Sequence, residues 1–271
     1  MTSGASELVR RSLRSIVPRR AYRAMADALD AGYCVVKLGW SGWRQLQSIS
    51  PARATDKGRL VEVEVPSLEH AIRIRAGTTD VQELVYIAVR ETYGAFLPQG
   101  EVSTIVDAGA NVGDSAAWFL SRFPRARVVA IEPHPENYRL LEHNLRPYGD
   151  RVALVQGALW HRPWTLALRP AVALDATSVA ETEGAAECEA VTMAQVLERF
   201  RIERIDLFKC DIEGAERGVF ETDSEPWLAR TRFIAIETHG PECLRVVEEA
   251  TRRHGFNHRR HRNLHFFDRA H

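Results

Sequence analysis

Six polar residues stand where short apolar runs end: Asp107, Glu132, Asp211, Glu213, Glu237 and His239. The runs before them read as buried parallel strands, because they are brief, apolar and bounded by turn residues. In open α/β sheets, ligands lie beyond the carboxyl ends of such strands. A carboxylate buried without a partner costs several kcal/mol, so one acid after another on one edge calls for a ligand more than for packing. His239 is the first candidate for a general base: an unperturbed imidazole titrates near neutrality and can take the proton of a hydroxyl. Asp211 or Glu213 would orient it or act in its place. A second version uses a metal. Asp211 and Glu237, with Glu213 beside them, offer hard oxygen ligands to Mg²⁺, which would lower the pKa of an acceptor hydroxyl. The plainer readings stand next to these: His239 as a helix cap or a solvated side chain, and Glu213-Gly214 as a tight turn into a helix.

A second group surrounds the first acid, in Val106-Asp107-Ala108-Gly109-Ala110-Asn111-Val112-Gly113-Asp114-Ser115. Strand, glycine loop and helix in that order build a nucleotide pocket, with glycines letting the backbone turn and approach a ligand closely. The dinucleotide fingerprint G-x-G-x-x-G would need glycine at Asn111, so the loop argues for an adenosyl ligand rather than NAD. Gly109, Asn111 and Gly113 would hold the far end of that ligand. The carboxamide of Asn111 both donates and accepts, which suits a zwitterion better than a pyrophosphate. Asp114 reads equally well as a helix cap. Glu132 lies 25 residues beyond Asp107, close to the spacing of about 20 expected of an acid that accepts from ribose hydroxyls. Gly157, Ala158 and Leu159, after a third strand, would wall the base.

The elements that must position these residues follow from periodicity. Residues 1 to 60 read as an N-terminal extension, helical and then looped around Gly39, Gly42 and Pro51, and residues 61 to 271 as the ligand-binding domain. Leu60 to Val65 and Ala71 to Arg75 alternate with period two and predict a small antiparallel pair. Val81 to Tyr93 carries apolar residues at helical spacing. From residue 103 strands and helices alternate: strands end at Asp107, Glu132, Gln156, Cys210 and Ile236, and helices begin near Asp114, Pro135, Met193 and Pro241. Gly149 reads as a helix C-cap. Residues 160 to 190 read as irregular, with a hairpin through Trp164 to Leu168 and an acidic loop from Asp175 to Glu189. Phe256 to His258 and Leu264 to Phe267 predict a terminal hairpin. The fold class is therefore α/β, a doubly wound, mostly parallel sheet.

Lysine plus arginine and aspartate plus glutamate each number 36, so net charge gives no hint of a nucleic-acid partner. Arginines nonetheless crowd both ends, at Arg10, Arg11, Arg14, Arg19, Arg20 and Arg23, and again from Arg252 to Arg262. They read as solvated faces, with an acidic substrate or an anionic membrane surface as the sharper alternatives. The four cysteines form no C-x-x-C pair and no zinc spacing, and read as free thiols of a reducing, cytoplasmic setting. No apolar run approaches transmembrane length.

Three blocks together resemble the FkbM-type methyltransferases: Asp107-Ala-Gly-Ala-Asn-Val-Gly-Asp114, Ile131-Glu-Pro-His-Pro-Glu-Asn137 and Leu207-Phe-Lys-Cys-Asp-Ile-Glu-Gly-Ala-Glu216. Gly77-Thr-Thr-Asp80 is similar to that family's upstream block. The resemblance spans roughly residues 70 to 240. It implies a Rossmann-like, seven-stranded class I fold of strand order 3-2-1-4-5-7-6 with the last strand antiparallel, and S-adenosylmethionine as methyl donor. It implies that Asp107 and the loop through Gly113 face the methionine half, that Asp114 and Ser115 also bind the cofactor, that Glu132 binds ribose, and that Asp211 lies near the methyl group and the acceptor. Thr79, Asp80, Pro133 and Asn137 join the cofactor set by the same resemblance. The expected acceptor is a hydroxyl of a sugar, polyketide or similar metabolite. A nucleic-acid methyltransferase and a non-catalytic adenosyl-binding protein are the rival readings, and a homo-oligomer is compatible with the chain.

Overall fold

The computed structural model describes residues 19–98, 100–170, 177–180 and 187–269. The expectations for Arg10, Arg11 and Arg14, and for much of the acidic segment after Asp175, lie outside them.

Seven strands form the central sheet. They are β3 (Thr104–Ala108), β4 (Arg127–Glu132), β5 (Val152–Gln156), β10 (Leu207–Cys210), β11 (Phe233–Glu237), β12 (Asn257–His261) and β13 (Leu264–Asp268). Their order is β12-β13-β11-β10-β3-β4-β5. Counted in chain order from the β5 edge, that is 3-2-1-4-5-7-6. β5, β4, β3, β10 and β11 run parallel, and β13 runs antiparallel to both its neighbours. β3, β4, β10 and β11 are buried nearly end to end, as a sheet covered on both faces requires. Alternate residues feed two cores: Ile105 packs with Trp118, Phe119 and Leu141, and its neighbour Val106 with Phe208, Phe220 and Trp227.

The helices that position the cavity are α1 (Arg19–Ser48), α2 (Asp80–Leu84), α3 (Asp114–Arg122), α4 (Pro135–Leu145), α5 (Met193–Arg199), α6 (Glu216–Glu221), α7 (Glu225–Leu228) and α8 (Pro241–Arg253). Pro135 opens α4 at a first-turn position, where its missing N–H costs nothing. The side chain of His134 caps that helix. A two-stranded sheet, β1 (Leu60–Val63) with β2 (Ile72–Arg75), packs on α4. There Asn144 accepts from the Arg73 N–H and donates to the carbonyls of Arg73 and Val112, each at 2.8 Å. One carboxamide thus ties the small sheet to the glycine loop.

Four local expectations are corrected. Residues around Gly39 and Gly42 are helical, not looped: α1 continues to Ser48 and kinks at Gly39, whose φ of 71° only glycine adopts easily. Val81 to Tyr93 is not one helix. α2 passes into a π turn (Val85–Val89), the chain turns through Glu91 at φ 49°, and a 3₁₀ turn (Thr92–Phe96) follows. Gly149 does not cap α4, because a 3₁₀ turn (Arg146–Arg151) carries the helix past it. Residues 160 to 190 are not irregular where described. Strands β6 (Ala158–Leu159), β7 (Thr165–Pro170), β8 (Thr177–Ala180) and β9 (Glu187–Val191) form a separate sheet of order β6-β9-β7-β8. Its strand β6 packs against β4.

Candidate functional site

A cavity of about 520 Å³ opens at the carboxyl ends of the central strands. Eleven of the fifteen residues expected to bind a cofactor line it: Thr79, Gly109, Asn111, Asp114, Glu132, Pro133, Asn137, Gly157, Ala158, Leu159 and Asp211. All three expected catalytic residues, His239, Asp211 and Glu213, line it as well. The other four cofactor candidates stand behind its wall. Asp107 and Lys209 are register partners on β3 and β10. Their side chains pair at 3.2 Å, and Ser115 Oγ donates to the second oxygen of Asp107 at 2.6 Å. Asp107 and Ser115 are fully buried in this arrangement, behind the residues that line the cavity. Asp80 is likewise sealed: the Arg75 guanidinium meets both its oxygens at 2.8 Å. Gly113 leaves room for α4, since a Cβ there would lie 3.0 Å from Leu141.

The loop that crosses β3 and β10 depends on glycine at one position above all. Gly109 has φ 75°, and a Cβ on it would stand 1.7 Å from the Asp211 carbonyl. Its N–H and that of Ala110 both donate to the Ile131 carbonyl at 3.0 Å, clamping the loop to β4. Asn111 then takes a left-handed φ of 47°, which asparagine tolerates better than most residues. That turn points its N–H at Glu132 Oε2, 2.9 Å away. Glu132 Oε1 accepts from the His134 N–H at 2.9 Å and from Asn137 Nδ2 at 3.3 Å. Burial raises the Glu132 pKa, opposed by these donors. The carboxylate is thereby held in one orientation at the cavity wall.

The other end of the cavity gathers acids around a histidine. His239 follows β11, and its Nδ1 lies 2.8 Å from Glu216 Oε1, at the start of α6. Its Nε2 faces Glu213 Oε2 at 3.3 Å and Asp211 Oδ1 at 3.8 Å. The Glu216 hydrogen bond, against the cost of burial, raises His239 to about 9. Glu216 is fully buried and is the partner that sequence reasoning missed. It lies inside the third motif block, but its reach to a residue 23 positions away depends on α6 packing against α8. Glu213-Gly214 is indeed a tight turn, with φ 50° and 98°, and it also places the Glu213 carboxylate beside His239.

Asp211, Glu213 and His239 bring three donor atoms within 4.8 Å of one another, a set able to hold a metal ion. The expected set paired Asp211 with Glu237. Glu237 instead accepts from Asn263 Nδ2 at 2.6 Å, and Asn263 accepts from the Tyr86 hydroxyl. Glu83 and Ile87 also line the cavity without having been singled out, as does Lys209, which reads from the sequence as the partner of an acid. Glu83 and Ile87 sit on α2 and the π turn, where no motif marks them. Lys209 Nζ is pointed inward, donating to the Gly109 carbonyl at 2.6 Å, and nearby carboxylates outweigh burial to raise its pKa.

The sequence model of the methyltransferase FkbM domain matches residues 107–264. The chain is 28% identical over 256 residues to the AMB antimetabolite synthetase AmbE of Pseudomonas aeruginosa, covering 77% of this chain and 12% of that protein. It is 30% identical over 182 residues to the methyltransferase sdnD of Sordaria araneosa, covering 54% and 70% respectively. It is 27% identical over 195 residues to the hexuronic acid methyltransferase AglP of Haloferax volcanii, covering 70% and 75%. The chain thus spans a small part of the synthetase and most of the two methyltransferases. Among the described residues, no helix is long and apolar enough to cross a membrane.

Proposed function

The chain belongs to the methyltransferase FkbM domain family, and from that premise we propose that it is an S-adenosylmethionine-dependent O-methyltransferase acting on a hydroxyl of a saccharide or related metabolite. The observation that carries this reading is a single cavity with an anchored carboxylate, Glu132, at one end and a carboxylate-held imidazole, His239, at the other. The relative that acts on a hexuronic acid favours a saccharide acceptor.

The residues present suit the donor. Glu132 keeps acceptor capacity on Oε2 for a ribose hydroxyl. Ala158 and Leu159 offer an apolar wall to the adenine. The Oδ2 atom of Asp114 is buried without a hydrogen-bond partner, a fitting acceptor for an ammonium group. When bound, S-adenosylmethionine supplies a methyl carbon activated by positive sulfur and leaves as S-adenosylhomocysteine.

The chain's own work is orientation and proton removal. His239 Nε2 opens toward the cavity while Glu216 holds Nδ1, so the ring is fixed in tautomer and direction. Neutral His239 takes the acceptor's hydroxyl proton as the new oxygen–carbon bond forms, and Glu216 stabilises the resulting imidazolium. Holding two reactants in line contributes several kcal/mol to lowering the barrier. Asp211 and Glu213 accept from the acceptor's other hydroxyls. Mg²⁺ carries no step of this proposal: Glu237 is engaged by Asn263, and the assembled donor set includes an imidazole, whereas Mg²⁺ favours all-oxygen shells.

The test is incubation with methyl-labelled donor and a panel of hexuronic acids, neutral sugars and polyketide alcohols. Label transferred to a hydroxyl of one class, and lost in His239→Ala, is the expected result. Transfer to a carboxyl or a nitrogen would refute the hydroxyl assignment.

A further inference from the structure

Most charged groups in the cavity wall are already engaged. Glu132 accepts three N–H groups, Glu237 accepts Asn263, and Asp211 and Glu213 face His239. Lys209 is spent on Asp107 and the Gly109 carbonyl. Glu83 is different. It projects from the last turn of α2 into the same cavity, and among the described residues its carboxyl makes no hydrogen bond or ion pair. The charged groups that bear on it come from three elements: Asp114 on α3, Asp211 and Lys209 on β10 and its end, and Glu237 on β11. Asp114, only 2% exposed, itself has an oxygen without a partner. Two carboxyl groups therefore line one cavity, and Lys209, the cation that bears on both, is itself held by Asp107 and the Gly109 carbonyl. Such a pair either keeps a proton or receives a positive ligand.

We propose that Glu83 is the counter-ion of a sulfonium, so that the cavity prefers the positively charged methyl donor over the neutral product it becomes. This rests on the S-adenosylmethionine reading and adds a specificity-determining residue to it. The ammonium and carboxylate are common to donor and product, whereas the sulfur is positive in the donor alone. Glu83 lines the cavity together with Asp114, assigned above to the ammonium, and with Asp211 and Glu237 near the acceptor, so a cation bound there meets it in the space that the two halves of the reaction share. Burial, then Asp114, Asp211 and Glu237, raise its pKa to about 8. In the empty cavity at neutral pH its carboxyl holds a proton. Arrival of the sulfonium expels that proton to solvent. Once the methyl has left, the ligand is neutral, Glu83 takes a proton back from solvent, and the product loses its strongest counter-charge.

The experiment is calorimetric titration of the full chain with S-adenosylmethionine and with S-adenosylhomocysteine, near pH 7, in two buffers of different ionisation enthalpy. The donor should release a larger fraction of a proton than the product. Glu83→Gln should abolish that difference and, at pH above 8, weaken donor binding about tenfold while changing product binding less than about twofold. Glu83→Asp should restore part of both effects. Asp114→Asn should weaken both ligands alike. Equal proton release by the two ligands, or equal weakening of both by Glu83→Gln, would overturn the proposal. A donor-only loss in Asp114→Asn would move the role to Asp114 and overturn the assignment equally. If neither ligand binds the wild-type chain, the S-adenosylmethionine reading falls, and this inference with it.

Discussion

The sequence singles out His239 as the candidate base, but not the pH at which it would work. An isolated imidazole titrates near 6.5. Here Glu216, with Asp211 and Glu213 behind it, holds the proton more tightly and raises the pKa to about 9. The sign matters for activity. A base must be neutral to accept a proton, and below 9 most of His239 is imidazolium, so kcat/KM should rise with pH through that region. Glu216→Gln removes the largest contribution and should move the rising limb toward the ordinary imidazole value. A limb that stays in place in that variant would show that another group accepts the proton. His239→Ala should cost roughly a hundredfold or more in kcat. The sequence could not supply this, since Glu216 is one more acid near a turn until the fold brings it to 2.8 Å from Nδ1.

At the scale of elements, the β3–α3 loop is where local sequence and tertiary packing agree most closely. Gly109 is required twice over, by its positive φ and by the Asp211 carbonyl. Gly109→Ala should therefore separate the loop from the end of β10. The expected outcome is lower thermal stability, read by calorimetric melting, together with loss of adenosyl-ligand binding. Unchanged melting and binding would mean that the loop is held by other contacts. The parallel strands were readable because they are short, apolar and bounded by acids. The π turn was not, because Val81, Leu84, Val85 and Ala88 satisfy helical spacing whether each N–H bonds four or five residues back. It is the Arg90 N–H, bonding to the Val85 carbonyl, that marks the longer step. The sheet of β6 to β9 was missed for a related reason. Its pairings join residues 7 to 32 positions apart, and its apolar cluster is small, built on Ala158, Leu166, Cys188 and Ala190.

Over the whole molecule, the neutral balance of charge conceals a local excess of acid. The cavity gathers Glu83, Asp114, Glu132, Asp211, Glu213 and Glu237, against Lys209 and His239. A site so composed repels a polyanion and attracts a compact cation, which fits a sulfonium donor and an uncharged hydroxyl acceptor better than a nucleic acid. The strand order carried the remainder: it sets the ends of β3, β4, β10 and β11 side by side, so acids 25 to 130 residues apart in the sequence share one edge. The most direct test is titration of the purified chain with S-adenosylhomocysteine, with NAD⁺ for comparison, in the wild type and in Glu132→Ala. The account predicts micromolar binding of the homocysteine compound alone, lost when the anchored carboxylate is removed. Binding of NAD⁺ instead, or binding of the homocysteine compound undiminished in Glu132→Ala, would contradict it.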